Sequence, residues 1–311
     1  MGQACLFPTI YISSYFKIFD PVSCLYGSCH TAHSGGEICV PIFNMKIGYQ
    51  ALFEERNIIE VIDFAKSSNF SLVEINLNSP YFFPENYGKE KRNLFKERSK
   101  DLRIILHAPE GLGIVNLQKS VREACVKRLA EIIDFGYDIG AKSLTFHIGM
   151  SVPIAVSGKK VRFIEIYEEI HRELIDETLR WLTNYADSKI ALCVENTGDF
   201  KQNLAKQILT KFLANNSLYL TWDIGHTNIL NREDKRVEED FFTKYVDKIR
   251  VCHMHDNHGK TDEHNIIGDG NVDFIHYVNL LKDYDVDFIF EVRPRDNAIV
   301  CRERFGSVPN I

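Results

Sequence analysis

Val251–Gly270 reads VCHMHDNHGKTDEHNIIGDG, a stretch dense in histidine and aspartate that starts like the end of a buried strand and turns into a loop. His253, Asp262 and His264 make sense together as metal ligands. Zinc binds imidazole nitrogen and carboxylate oxygen readily, and a catalytic zinc keeps one position open for water or substrate. Comparable junctions recur as LHAP (106–109), FHIG (146–149), VENTG (194–198), WDIGH (222–226) and FEVRP (290–294). Each is an apolar run ending in a ligand-type residue, which adds His107, His147, Glu195, Asp223, His226 and Glu291 to the set. A lone buried histidine is more often a hydrogen-bonded core residue. A carboxylate closing an apolar run is harder to dismiss, because its burial is costly unless it is paired, protonated or metal-bound. Asp262 and His264 lie two apart, so an extended backbone would aim both the same way. One ion would not use five imidazoles and four carboxylates; two or three ions sharing a carboxylate would. The mixed nitrogen and oxygen set favours zinc, with manganese or iron as the other candidates.

The elements that must position these residues alternate regularly. Strand patterns fall at 46–51, 72–77, 103–106, 143–146, 190–194, 218–222, 249–252 and 288–290. Helical patterns fall at 57–67, 121–137, 162–186, 201–212, 241–246 and 274–282, with a short charged helix expected after the aromatic, proline-containing loop at 81–87. At 57–67 the buried stripe is Ile58, Val61, Ile62 and Ala65, at three-and-four spacing. Eight strands with connections long enough for parallel crossovers predict a (β/α)8 TIM barrel of the α/β class, with an open doubly wound sheet as the rival. The barrel also explains why ligand-type residues gather at strand C-terminal ends, where barrel active sites lie.

Bulk properties agree. The chain has 311 residues, 45% hydrophobic and 26% charged, which suits one large α/β domain. A net charge of −6 argues against attachment to nucleic acid through a broad basic surface. Residues 1–44 differ from the rest: their only acidic, lysine or arginine charges are Lys17, Asp20 and Glu37, among many Ser, Gly, Cys and aromatic residues. They read as an N-terminal extension, and 45–311 as the barrel domain. Eight cysteines without a CxxC pair suggest neither a disulfide framework nor a zinc ribbon, so a reducing cytoplasmic setting is expected. No apolar run is long enough to span a bilayer, and no membrane partner is expected.

Taken in order, the HAP, ENTG, DxGH and DxH pieces resemble the endonuclease IV family of apurinic/apyrimidinic endonucleases, within the wider xylose-isomerase-like barrel superfamily. The resemblance covers about residues 45–295. It implies three zinc ions: one on His107, His147 and Glu195; a second sharing Glu195 and adding Asp223, His253 and Glu291; a third on His226, Asp262 and His264. It further implies hydrolysis of abasic-site DNA 5′ to the lesion, leaving a 3′-hydroxyl, with Glu195 bridging metals and Glu291 helping to orient the nucleophile. Some positions depart from the family. Glu110 follows HAP where the family has a tyrosine that probes DNA, and the first two strands run into QALFEE (50–55) and NLNSPYFF (76–83) rather than DNA-contacting loops. The wider superfamily therefore supplies a second reading, a metal-dependent sugar or sugar-phosphate isomerase or epimerase using Glu195, Asp223, His253 and Glu291, with the two glutamates exchanging protons.

Neighbouring residues are expected to play lesser parts. His255 and His258 read as solvated loop histidines or as contacts to substrate or ligand, and Asp256 as an orienter of a ligand or of the loop backbone. The GDG at 268–270 shapes a turn rather than cradling a nucleotide. Lys159, Lys160 and Arg162 read as a solvated helix start, with contact to phosphate as the other reading. Arg293 and Arg295 are the better phosphate candidates, with a salt-bridged barrel rim as the other reading.

Overall fold

The computed structural model describes residues 45–306, so the N-terminal extension expected over 1–44 lies outside the described residues. In chain order the first half contains β1 (Lys46–Ala51), α1 (Ile58–Ser67), β2 (Leu72–Asn76), α2 (Lys89–Arg98), β3 (Arg103–His107), α3 (Lys119–Ile139) and β4 (Ser143–Phe146). A hairpin of β5 (Pro153–Val156) and β6 (Lys159–Arg162) follows, then α4 (Phe163–Ile166) and α5 (Glu168–Ala186). The second half contains β7 (Ala191–Glu195), α6 (Asn203–Ala214), β8 (Tyr219–Asp223), α7 (Ile224–Asn228), α8 (Arg232–Lys244), β9 (Ile249–Met254), α9 (Phe274–Leu281), β10 (Asp287–Phe290) and α10 (Asn297–Gly306).

Eight of these strands close into one parallel barrel in the order β1-β10-β9-β8-β7-β4-β3-β2, which excludes the open sheet. Each strand alternates its side chains between the barrel interior and the helices. Outward residues such as Tyr49, Val73, Leu106, Phe146, Val194, Trp222, Met254 and Phe290 join the large core beneath the helices. Inward residues Leu72, Ile105, Cys193, Val251 and Ile289 form a separate apolar plug inside the barrel. Thr145 and Thr221 share a 2.8 Å hydroxyl hydrogen bond across the barrel interior. Gly48 completes this layer because a Cβ there would lie 2.3 Å from the Leu72 carbonyl oxygen.

Local signals explain the helices. Asn57 caps α1 by accepting the Glu60 N–H, and α3 ends at Gly140, whose φ of 81° suits glycine. The helix expected over 162–186 is instead two, broken at Tyr167. The expected solvated helix start at Lys159–Arg162 is the second strand of the hairpin, turned at Ser157 and Gly158 with φ of 49° and 78°. That left-handed pair is the geometry of a tight two-residue hairpin turn. Among the described residues, no helix is long and apolar enough to cross a membrane.

Candidate metal centre

The two-residue period of a strand places the site. One step above each plug position, on the same inward face, lies a polar residue: Gln50 above Gly48, Glu74 above Leu72, His107 above Ile105 and His147 above Thr145. The other four strands supply Glu195 above Cys193, Asp223 above Thr221, His253 above Val251 and Glu291 above Ile289. An apolar floor thus carries a polar layer at the C-terminal mouth of the barrel, where strand ends and loops assemble barrel active sites.

All nine candidate ligands meet there. Glu195 is the hub: its Oε2 lies 3.0 Å from His107 Nε2 and 2.9 Å from His147 Nε2. Its Oε1 lies 3.4 Å from His226 Nδ1 and 3.7 Å from His253 Nδ1. His253 Nδ1 is also 3.0 Å from Glu291 Oε2 and 3.9 Å from Asp223 Oδ2. Asp262 Oδ2 is the second meeting point, 3.2 Å from both His226 Nε2 and His264 Nε2. Exposure rises across the set, from none at His253 to 28% at His264 and 35% at Asp262, so the site opens toward the loop after β9.

Short local structures set these positions. Asp223 caps α7 by accepting the His226 N–H at 2.8 Å, which turns His226 back over the barrel mouth. Asn196 clamps β7 to β8: it accepts the Asp223 N–H at 2.7 Å and donates to the Asp223 carbonyl at 2.9 Å. Asp262 and His264 do not converge through extended backbone as expected. His264 is left-handed, with φ of 51°, and its Nδ1 is held 2.8 Å from the Glu291 carbonyl oxygen. That conformation costs roughly 1–2 kcal/mol for a non-glycine residue. Asp256 orients the loop as one of its expected roles, accepting N–H groups of Asn257, Gly268, Gly270 and Val272.

The donor set suits divalent cations. Among the described residues, four groups of three bring ligand atoms within 4.8 Å of one another: His107–Glu195–His253, Asp223–His253–Glu291, Asp223–His226–His255 and His255–Asp262–His264. Buried atoms aimed into the centre, namely Asp223 Oδ2, His226 Nδ1 and His253 Nδ1, make no hydrogen bond within the protein. Unpartnered buried polar atoms are costly, and a shared cation relieves several at once.

Protonation reflects this crowding. Burial alone disfavours charge on His107, but the Glu195 hydrogen bond and the charges of Glu74 and Glu195 raise it to about 9. Against the same burial penalty, Asp223 and Asp262 push His226 to about 10, and Asp262 and Glu291 push His264 to about 9. The reciprocal effect of His147 and His107 holds Glu195 well below the usual carboxylate range despite its burial. A cation held by these imidazoles would compete with protons for the same nitrogens, so its uptake would be linked to proton release.

Two contributors escape the sequence patterns. Glu74 is fully buried, accepts Gln50 Nε2–H at 2.8 Å and sits 3.1 Å from His253 Nε2, the ring nitrogen turned away from the other carboxylates. Such a carboxylate fixes the tautomer and aim of a metal-binding histidine. Glu74→Gln is expected to weaken metal retention about 10-fold or more, read by chelator competition. Gln50 also accepts from Asn76 Nδ2 at 3.0 Å and from Arg293 Nη2. The signal that could have found both is the two-residue step above the plug. His255 is fully buried rather than a solvated loop residue, while His258 is exposed and paired with Glu263. Arg295 belongs to the rim, 2.9 Å from Glu55 and over the Phe64 ring; Arg293 faces inward, 3.9 Å from Glu291.

Known proteins with this architecture use it in different ways. The probable endonuclease 4 of Aquifex aeolicus is 25% identical over 247 residues, covering 73% of this chain and 83% of that protein. An uncharacterized protein of Methanocaldococcus jannaschii is 24% identical over 278 residues, covering 84% and 88%. In three dimensions, a D-tagatose 3-epimerase-like protein superposes with a TM-score of 0.68 at 23% identity, covering 84% of this chain and 96% of that one. Endonuclease IV from Thermus thermophilus superposes with a TM-score of 0.60 at 20% identity, covering 85% and 100%. The fold is common to both kinds of enzyme. Residues 62–302, from within α1 to within α10 and including all nine ligand candidates, match one family, and by that match the chain belongs to the xylose isomerase-like TIM barrels.

Proposed function

We propose that this protein is a zinc-dependent phosphoester hydrolase with a trinuclear centre, and that DNA cleaved 5′ to an abasic site is its candidate substrate. The carrying observation is the pair of flanking groups: His107 and His147 converge on one Glu195 oxygen, while His226 and His264 converge on Asp262. A site needing only Glu195, Asp223, His253 and Glu291 has no use for either. His107, His147 and Glu195 would hold one ion; Glu195, Asp223, His253 and Glu291 a second; His226, Asp262 and His264 a third. Divalent ions supply Lewis acidity for phosphoryl oxygens and make hydroxide available near neutral pH. Glu195 offers an oxygen to each side of the centre. Glu291 orients the nucleophile, and Arg293 beside it offers a guanidinium to the phosphate.

A specific feature favours the second reading, a metal-dependent isomerase or epimerase of a sugar or sugar phosphate. Glu110, standing where the endonuclease family has its probing tyrosine, is tied to Asn78 by two hydrogen bonds of 3.1 and 3.2 Å, so this loop pair is cross-linked by an acid. In that reading Glu195 and Glu291 exchange protons at neighbouring sugar carbons.

The test offers zinc-loaded protein an abasic-site duplex and an undamaged duplex. Selective nicking of the damaged strand is expected. Intact metal content without cleavage, together with conversion of small ketoses or their phosphates, would replace the hydrolase by the epimerase.

A further inference from the structure

We propose that His255 is a positioning residue of the metal centre, one imidazole that fixes the carboxylates of two neighbouring cation subsites; this rests on the metal-centre reading above. His255 follows β9 two residues after His253 and has no exposed surface. Its Nε2 lies 3.1 Å from Asp223 Oδ1 and 3.4 Å from Asp262 Oδ1. Those two carboxylates belong to different subsites, and this ring edge spans them.

The consequence for Asp223 is directional. Its Oδ1 accepts both His255 Nε2–H and the His226 N–H, at 3.1 and 2.8 Å. Both lone-pair directions of that oxygen are then used within the protein. Oδ2, buried and without a partner, is the oxygen left to face a cation. A carboxylate oxygen only accepts, so Nε2 carries the proton of that bond, while Nδ1 has no partner. Packing holds the ring in place: it stacks on His264 at 4.1 Å between centroids and meets His226 edge-on at 6.1 Å.

Gly225 makes the placement possible. A Cβ on Gly225 would lie 2.1 Å from His255 Cε1 and 2.3 Å from Nε2, so only glycine lets the ring approach α7. Gly225 is thus a handle on His255 that leaves all nine ligand candidates in the chain.

The experiment measures zinc retention by chelator competition, with melting temperature and circular dichroism as checks on folding. Wild type is expected to retain close to three equivalents. His255→Ala is expected to hold the least tightly bound equivalents about 10–100-fold more weakly, the range for residues that orient metal ligands. Gly225→Ala should reproduce that loss by displacing the ring. The double variant should lose no more than His255→Ala alone, because the two changes act through one contact. His255→Gln, whose amide can still donate to Asp223, should recover most of the affinity. Retention within twofold of wild type in a folded His255→Ala protein, or additive losses in the double variant, would overturn the inference while leaving the metal centre standing. If His255→Ala does not fold, Gly225→Ala decides the question: retention within twofold of wild type in that folded variant overturns the inference. Wild type that takes up no zinc overturns the metal-centre reading and this inference together.

Discussion

Glu195→Gln is expected to lose at least one zinc equivalent and to reduce phosphodiester cleavage by ~10³-fold or more, the several kcal/mol that metal-ion catalysis contributes. The size follows from how many partners share this side chain. One oxygen faces His107 and His147, the other His226 and His253. An amide keeps the volume but removes the charge, and it presents an N–H₂ to two of those ring nitrogens, which cannot bridge cations. His107 is held near 9 in large part by this carboxylate, so its proton affinity should fall in the variant. Metal content and cleavage of an abasic-site duplex check the result together. Full zinc content with wild-type cleavage would remove Glu195 from the centre.

The eight strands were legible as short apolar runs, six of them closed by a ligand-type residue, and the structure places them within a residue or two of the sequence bounds. The same rule had more to give. Gln50 is the penultimate residue of β1 and Glu74 the middle residue of β2, both on the inward face that His107 takes at the end of β3, but glutamine is not a ligand type and Glu74, followed by Ile and Asn, does not close its run, so neither stands out. His255 is hard to read because a histidine in a loop carries no burial signal; its burial depends on Gly225, distant in sequence. The hairpin of β5 and β6 escapes because its strands are four residues each and largely exposed, leaving no apolar alternation to read. The helix α8 is legible only at its C-terminal end. Its inner face includes Glu238, buried against Asn196 and Thr227, where the pattern calls for an apolar anchor. For Gln50, Glu74, His255 and Glu238 a tertiary partner supplies what the local pattern lacks.

His226→Ala separates the two chemistries most cleanly. His226 Nε2 joins Asp262 at 3.2 Å and its Nδ1 faces Glu195 at 3.4 Å, so one ring links the open end of the site to its buried hub. A hydrolase that draws on three ions loses a ligand and the geometry of two subsites at once. Cleavage should fall by about 10²–10³-fold with close to one zinc equivalent lost, since each ion contributes its own share of charge stabilisation. An epimerase built on Glu195, Asp223, His253 and Glu291 keeps all four of those residues, and its turnover should remain within about 10-fold, the lower end of outer-residue effects. The two outcomes differ by at least an order of magnitude and use one protein preparation. A variant that keeps three equivalents and full nuclease activity contradicts the trinuclear assignment. One that loses an equivalent while ketose conversion persists assigns the chemistry to the four buried ligands, and leaves the Asp262 group to bind substrate rather than to react with it.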